Sequence, residues 1–224
     1  MKIAGLQKSS TVDYPGCFCA VIFVSGCNYR CFYCHNRMLL GDVPLLDEAH
    51  VISFMEKRAG LIDGMVFSGG EPTLHKDLAW WMNRAKKLGY KTKLDTNGSR
   101  PQVLKSILSA GLADYVAMDY KAPVAMYPKL CLAPGSGVME SMELLSKSGV
   151  EYEIRTTAVP MLTEAVHLEK AENIPDNARW ALQLYRQQPG DEEYLHGLTP
   201  YLPSDIETLA KALRVKHNDI ITRC

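Results

Sequence analysis

An α/β fold with a parallel central sheet follows from three patterns in this sequence. Short apolar or β-branched runs alternate with longer stretches of helical period through most of the 224 residues, and such alternation closes into right-handed βαβ crossovers. Gly60, Gly89, Gly111 and Gly149 stand just past the helical stretches, where a left-handed C-terminal cap favours glycine. The polar motifs fall at or just after the C-terminal ends of the strand runs, the end where parallel α/β proteins build their sites.

The apolar run at 19–25 is the first strand candidate. A helix is expected over 47–59 with Asp47 as its N-cap, because a carboxylate there accepts an otherwise unpaired backbone N–H. The short run at 65–68 and a helix over 76–88 form the second unit, and 91–95 with 101–110 the third. Strands at 115–119, 152–159 and 181–185 precede helices expected over 138–148, 164–173 and 204–213, the last with Ser204 as N-cap. The stretch from Pro189 through Pro203 has no period and reads as a loop over one rim of the sheet. One domain over residues 1–224 is expected: an N-terminal segment at 1–18, a core at 19–185, and a C-terminal loop, helix and short strand at 186–224. Six strand–helix units are too few for a closed eightfold barrel. The pattern alone does not separate an open barrel from a doubly wound sheet.

Apolar residues make up 47% of the chain, and Lys plus Arg equals Asp plus Glu at 25 each. No net field therefore favours nucleic acid or an anionic membrane. The N-terminus lacks the apolar stretch of a signal peptide, and no run approaches the ~18–20 apolar residues that span a bilayer. A cytoplasmic protein is expected. Seven cysteines are an odd count, and a reducing cytosol disfavours structural disulfides. Cys17 and Cys19 flank Phe18 just before the first strand run and read as small apolar fillers rather than a redox pair. Cys131 and Cys224 are isolated, and no second compact group of cysteines exists to hold another cluster.

The most informative stretch runs from Gly26 to Asn36. Cys27, Cys31 and Cys34 stand there at C-x3-C-x2-C spacing, directly after the first apolar run. Thiolates are soft ligands that select iron–sulfur clusters, zinc or copper(I). Closed zinc sites and common iron–sulfur clusters take four protein ligands, so three cysteines leave a position open, which marks chemistry rather than stapling. Two plainer readings stand beside this one. His35 could complete a zinc knuckle, although adjacent residues rarely reach one metal. The cysteines could be buried without metal, although a loop rich in Gly, Asn and Arg is no core strand.

With an aromatic residue before its third cysteine, this stretch resembles the signature of the radical S-adenosylmethionine (radical SAM) enzymes. His35-Asn36 is similar to the Cys-His-Asn of the glycyl-radical-enzyme activases. Further matches extend over nearly the whole chain in the family's order. They are Thr11-Val12-Asp13-Tyr14-Pro15-Gly16, Ser68-Gly69-Gly70-Glu71-Pro72, Asp95-Thr96-Asn97-Gly98, Met118-Asp119-Tyr120-Lys121 and Arg155-Thr156-Thr157-Ala158-Val159-Pro160. Within the family the chain most resembles the anaerobic ribonucleoside-triphosphate reductase activating proteins in their longer form. The resemblance implies a partial (β/α)6 TIM-like barrel, open laterally.

The resemblance also implies a 4Fe–4S cluster on Cys27, Cys31 and Cys34, its open iron chelated by the amino and carboxylate groups of S-adenosylmethionine. One electron from the reduced cluster then cleaves the C5′–S bond, giving methionine and a 5′-deoxyadenosyl radical. Tyr33 and His35 would lie against the adenine, a flat base that suits stacking on rings and hydrogen bonds from them. Gly69, Gly70 and Glu71 would meet the methionyl amino group, the glycines permitting close backbone approach. Thr96 and Asn97 would add polar groups at the next strand end. Asp119 and Lys121 would line the cofactor site, with Lys121 on the methionyl carboxylate and Asp95 on the ammonium or a bound monovalent cation. Arg155 interrupts an apolar strand and needs an anionic partner if buried. His167 matches a position at the cofactor's sugar end in related activases. Asp13 would hold a backbone N–H of the substrate's glycine loop, next to Tyr14, where some activases have glycine. Each position also has an ordinary explanation: a tight turn at 69–71, an Asn-Gly turn at 97–98, a local ion pair between Asp119 and Lys121, a satisfied helical histidine at 167.

The implied function is removal of a Cα hydrogen from one glycine of a large partner enzyme, the anaerobic ribonucleotide reductase first. A flavodoxin or ferredoxin would supply the electron. Two other substrate classes fit the same chemistry: a small molecule, as in the deazaguanine synthases, or a ribosomal peptide. A non-catalytic iron–sulfur carrier or zinc module is the remaining reading. It predicts four ligands and has no use for the motifs at 69–71 and 119–121.

Overall fold

The computed structural model describes all residues from Met1 to Cys224. An eight-stranded sheet in sequential order forms its centre. The strands are β1 (Ile3–Ser10), β2 (Cys19–Val24), β3 (Gly64–Gly69), β4 (Lys91–Thr96), β5 (Tyr115–Asp119), β6 (Glu151–Ala158), β7 (Arg179–Leu184) and β8 (Ile220–Arg223). β1 runs antiparallel to β2, and every later pair is parallel. β1 and β8 do not pair, so the sheet stays open, as the α/β barrel expected from the sequence requires. The helices are α1 (Glu48–Arg58), α2 (Leu78–Lys87), α3 (Pro101–Ser109), α4 (Tyr127–Cys131), α5 (Val138–Ser146), α6 (Glu164–Ala171), α7 (Glu192–Leu195) and α8 (Pro203–Leu213). No helix is long and apolar enough to cross a membrane.

The expected units form with shifts of a few residues. Asp47 caps α1 as anticipated, accepting the Ala49 N–H at 3.2 Å. Ser204 does not cap α8. That helix starts at Pro203, whose fixed φ and missing N–H suit a first turn, and Asp205 reaches back to accept the Leu202 N–H at 2.8 Å. Residues 3–10 form a strand where the sequence reading places only an N-terminal segment. Gln7, Lys8 and Ser9 are exposed on this sheet edge, so β1 lacks the apolar alternation that announces a strand, as edge strands often do. A short helix, α7, interrupts the stretch expected to be irregular, and another, α4, forms between β5 and α5 where the sequence reading places no element.

Side chains alternate across each strand. Ala20, Ile22, Met65, Phe67, Leu94, Val116, Met118, Ile154, Trp180 and Leu182 face the helices and build the main core. The opposite face begins as a small second core in which Tyr14 and Cys17 meet Cys19, Val21, Val66, Tyr115 and Ala117. Cys17 and Cys19 are thus apolar fillers. Farther along the same face toward the C-terminal strand ends, the side chains turn polar: Ser68, Asp95, Asp119, Arg155, Thr157 and Gln183 line a cleft. The small core floors the sheet's inner face, and the cleft opens above it.

Two glycines are required where β3 meets the segment after β2. Gly69 has φ +114°, and a Cβ there would fall 2.4 Å from the Val24 backbone nitrogen. A Cβ on Gly70 would fall 2.0 Å from the Gly26 carbonyl oxygen. The two segments are hydrogen-bonded at this approach, Gly70 N–H to Val24 O and Glu71 N–H to Gly26 O, both at 2.9 Å.

Candidate active site

The cleft measures about 430 Å³ and collects Cys27, Cys31 and Cys34 with Tyr33 and His35 from the loop after β2. Backbone bonds fix that loop at both ends. Gly26 N–H donates to Leu39 O at 2.8 Å, and Arg30 N–H to Cys131 O at 2.8 Å. Asn36 Nδ2 donates to Gly69 O at 3.1 Å, tying the loop to the glycine turn.

All three thiols are free. Burial pushes the Cys27 thiol up to about 11 and raises that of Cys34. A hydrogen bond to the Cys131 thiol, then burial, raises that of Cys31. No three Cys, His, Asp or Glu side chains stand close enough to hold a single metal ion in this arrangement. A cluster of several irons spreads its ligands farther apart than one ion does. Three free thiols on one loop facing one cleft fit that larger group. Cys27 Sγ already receives two N–H groups, Tyr29 N–H at 3.4 Å and Asn97 Nδ2 at 3.7 Å.

Across the cleft lies a lattice of charges from three neighbouring strands. Arg155 on β6 reaches Asp119 on β5 at 2.8 Å and Asp95 on β4 at 3.3 Å. Lys121 lies 3.2 Å from Asp119, and Lys93 lies 2.5 Å from Asp95. Burial opposes the charge on Asp95, but Arg155 and Lys93 outweigh it and hold the carboxyl at about 2. Burial likewise opposes the charge on Asp119, which Arg155 and Lys121 nonetheless hold below the usual carboxylate range. Asp95 also accepts from Ser68 Oγ at 2.8 Å. Its oxygens are thus committed to protein donors, and an added monovalent cation would have to compete with two resident cations. Lys121 Nζ sits 5.9 Å from the centre of the Tyr33 ring, within cation–π range. The Tyr33 hydroxyl is buried without a partner. His35 lies at the outer part of the cleft, its pKa lowered by partial burial and then by Arg186.

Most residues expected at the site line this cleft, including Asp13, Gly69, Gly70, Thr96 and Asn97. Asp13 accepts from Ser10 Oγ at 2.5 Å. Two residues do not belong to the cleft. Glu71 is fully buried beneath it, where one oxygen accepts from Thr73 Oγ1 at 2.5 Å, Thr73 N–H at 3.1 Å and Thr96 Oγ1 at 2.8 Å. The other accepts from Asn97 N–H at 2.6 Å. Glu71 is a buried strut between the β3 and β4 turns, its side chain turned away from the cleft. His167 is fully buried between α6 and the sheet, its ring 6.4 Å from that of Trp180 and without an aligned hydrogen bond. Its place on the helix puts it in the main core, away from the cleft.

Three features of the site carry no local sequence signal. Arg37 pairs with buried Asp191 at 2.5 Å and also donates to the Phe32 carbonyl. Asp191 accepts from Tyr185 Oη at 2.5 Å as well. Phe32 stacks on Tyr194 at 5.2 Å, so the segment around α7 clamps the cysteine loop from outside. Behind the cleft, fully buried Lys170 donates to Tyr120 O at 2.7 Å and Thr156 Oγ1 at 2.6 Å, fixing the chain that presents Asp119 and Lys121.

Comparison with known proteins agrees with this geometry. Residues 21–174 match the Radical SAM superfamily. A Methanocaldococcus jannaschii protein provisionally named a glycyl-radical enzyme activating enzyme is 30% identical over 233 residues, covering 99% of this chain and 95% of that one. The S-adenosylmethionine-dependent nucleotide dehydratase of Selenomonas ruminantium is 30% identical over 179 residues, 70% of this chain and 61% of that one. The pyruvate formate-lyase-activating enzyme of Clostridium pasteurianum is 28% identical over 190 residues, 80% of this chain and 77% of that one. Among solved structures, Streptococcus suis SuiB bound to precursor peptide SuiA matches with TM-score 0.70 at 16% identity, over 91% of this chain. The chain spans 48% of the length of that structure, and the likeness is one of fold.

Proposed function

We propose that this chain, which belongs to the radical SAM superfamily, activates a glycyl radical enzyme by removing a Cα hydrogen from one of its glycines. The observation that carries the reading is the gathering of Cys27, Cys31, Cys34, Lys121 and Asp13 around one cleft. Identity of 30% along 99% of the chain to a provisionally named activase supports it. Cys27, Cys31 and Cys34 would hold a 4Fe–4S cluster, which together with S-adenosylmethionine supplies the hydrogen-abstracting chemistry when bound.

The protein's own groups do the positioning. Lys121, anchored by Asp119, offers a cation to a carboxylate in the cleft. Tyr33 presents its ring to a base, and Arg155 keeps Asp95 and Asp119 ionised and fixed. Asp13, at the cleft wall, offers its free carboxylate capacity to a backbone N–H of the incoming glycine loop. Such placement matters because reacting atoms must sit about 3–3.5 Å apart for efficient transfer. The opening between β1 and β8 gives an extended peptide a lateral path to the cleft.

The overall likeness within the family makes anaerobic ribonucleoside-triphosphate reductase the proposed partner, with a flavodoxin or ferredoxin as electron donor in the cytoplasm. A second reading, a small-molecule substrate, is favoured by the 30% identity to a nucleotide dehydratase. The two separate in one experiment. The protein is reconstituted anaerobically with iron and sulfide, reduced, and mixed with S-adenosylmethionine and each glycyl radical enzyme of its own organism. A glycyl radical in the paramagnetic resonance spectrum supports the proposal. Turnover of a nucleotide without a radical on any partner would replace it with the second reading.

A further inference from the structure

Asn97 stands where its carboxamide faces the sulfur of Cys27. One nitrogen, Nδ2, lies 3.7 Å from Cys27 Sγ and 2.9 Å from Asn28 Oδ1. Its two hydrogens therefore have two acceptors. The orientation of the amide is fixed chemically, because Oδ1 accepts the Ser99 backbone N–H at 2.9 Å. A flipped amide would set two donors against each other at Ser99 and leave the sulfur facing an oxygen.

The backbone of Asn97 is equally fixed. Its N–H donates to Glu71 Oε2 at 2.6 Å, and the other Glu71 oxygen is held by Thr73 and Thr96. Glu71 and Asn97 are both buried. Asn97 is thus a rigid donor delivered to one sulfur from the β4 turn, independent of the loop that carries the cysteines. Tyr29 N–H approaches the same sulfur at 3.4 Å from within that loop.

We propose that Asn97 is a positioning residue that sets the reduction potential of the cluster through the sulfur of Cys27. A donor to a ligating thiolate stabilises the more negative, reduced form, and hydrogen bonds to the sulfurs are among the terms that set cluster potentials. The donor raises the potential and eases electron entry. Removing it makes the cluster harder to reduce. Replacing it with a carboxylate, which sets negative charge against the sulfur, does so further. The proposal rests on the assignment of Cys27 as a cluster ligand.

The test is a redox titration of the reconstituted protein, followed by paramagnetic resonance without S-adenosylmethionine, with iron and sulfide content measured on the same samples. N97A is expected to lower the ratio of reduced to oxidised cluster about tenfold at a given ambient potential, a shift of about 59 mV for one electron. N97D is expected to shift it further in the same direction. A wild-type protein that takes up no cluster would defeat the ligand assignment itself. Full cluster in both variants with wild-type potentials would overturn the role of Asn97 and leave the ligand assignment standing. Loss of the cluster from both variants would also overturn it, by making Asn97 a requirement for assembly.

Discussion

Arg155 Nε lies 2.8 Å from Oδ1 of Asp119, its register partner on the neighbouring strand. The same guanidinium reaches Asp95 one strand farther on, at 3.3 Å. One planar cation therefore braces two carboxylates on adjacent strand ends, a task its fork geometry suits better than an ammonium would. Lys121, the remaining cation on Asp119, is left with capacity toward the cleft. Three donors on its ammonium meet one carboxylate oxygen at 3.2 Å.

Lys121→Ala is expected to weaken S-adenosylmethionine binding while leaving the iron content unchanged. A lost charge-assisted hydrogen bond costs about 1.5–3 kcal/mol, roughly a tenfold to hundredfold rise in Kd. Equilibrium binding by calorimetry on the reconstituted protein measures it. Unchanged affinity would remove Lys121 from the cofactor site.

Cys27→Ala, Cys31→Ala and Cys34→Ala are each expected to abolish the cluster, because all three line the cleft. Substitution of Cys17, Cys19, Cys131 or Cys224 should leave it in place. Cys131 is the demanding control, since it is buried against the cysteine loop and its carbonyl accepts the Arg30 N–H. Iron and sulfide analysis of the seven variants decides. A full cluster in Cys31→Ala would defeat the ligand assignment.

Asp13→Asn should depress activation of a partner enzyme far more than cleavage of S-adenosylmethionine without partner. Asp13 is bonded to Ser10 and lines the cleft wall. The ratio of glycyl radical formed to methionine released is the measured quantity. An equal loss in both would make Asp13 a structural residue.

Asp191→Asn removes the counter-ion of Arg37 and one acceptor of Tyr185. Hydrogen bonds to charged groups contribute about 1.5–3 kcal/mol, and a chain of this size loses about 2–4 °C in Tm per kcal/mol. Burial opposes the charge on Asp191, but Tyr185 and Arg37 hold its pKa below the usual carboxylate value. Its contribution is therefore full above about pH 4 and disappears as the pH falls through the depressed folded value. Asp191→Asn should lack that portion of the acid limb. A variant with wild-type Tm and an unchanged acid limb would show that the clamp contributes nothing.

The parts of the fold legible in the sequence were those written locally. The cysteine loop, the glycine turn and the strand-end charges each occupy a few consecutive positions, and strand parity carries Asp95, Asp119 and Arg155 to one face. Glu71 and His167 were misplaced for opposite reasons. Glu71 sits in a motif whose glycines do line the cleft, but its side chain turns under the turn to collect four donors. His167 shares a helix face with Lys170 and Ala171, an i, i+3, i+4 stripe that marks an inward-facing surface. That spacing was available in the sequence and outweighs the family position. The Arg37–Asp191 pair spans 154 positions and falls in a stretch with no period, so nothing local announces it.

Residue 191 leaves the ribosome 154 positions after residue 37, a delay of roughly 8–30 s at about 5–20 residues per second. Throughout that interval Arg37 lacks its counter-ion, and Phe32 lacks the ring of Tyr194. The nascent loop is then held by its bonds to Gly69, Asn97 and Cys131 without the outer clamp. The outer clamp on the loop therefore closes late in synthesis, once the segment around α7 has emerged.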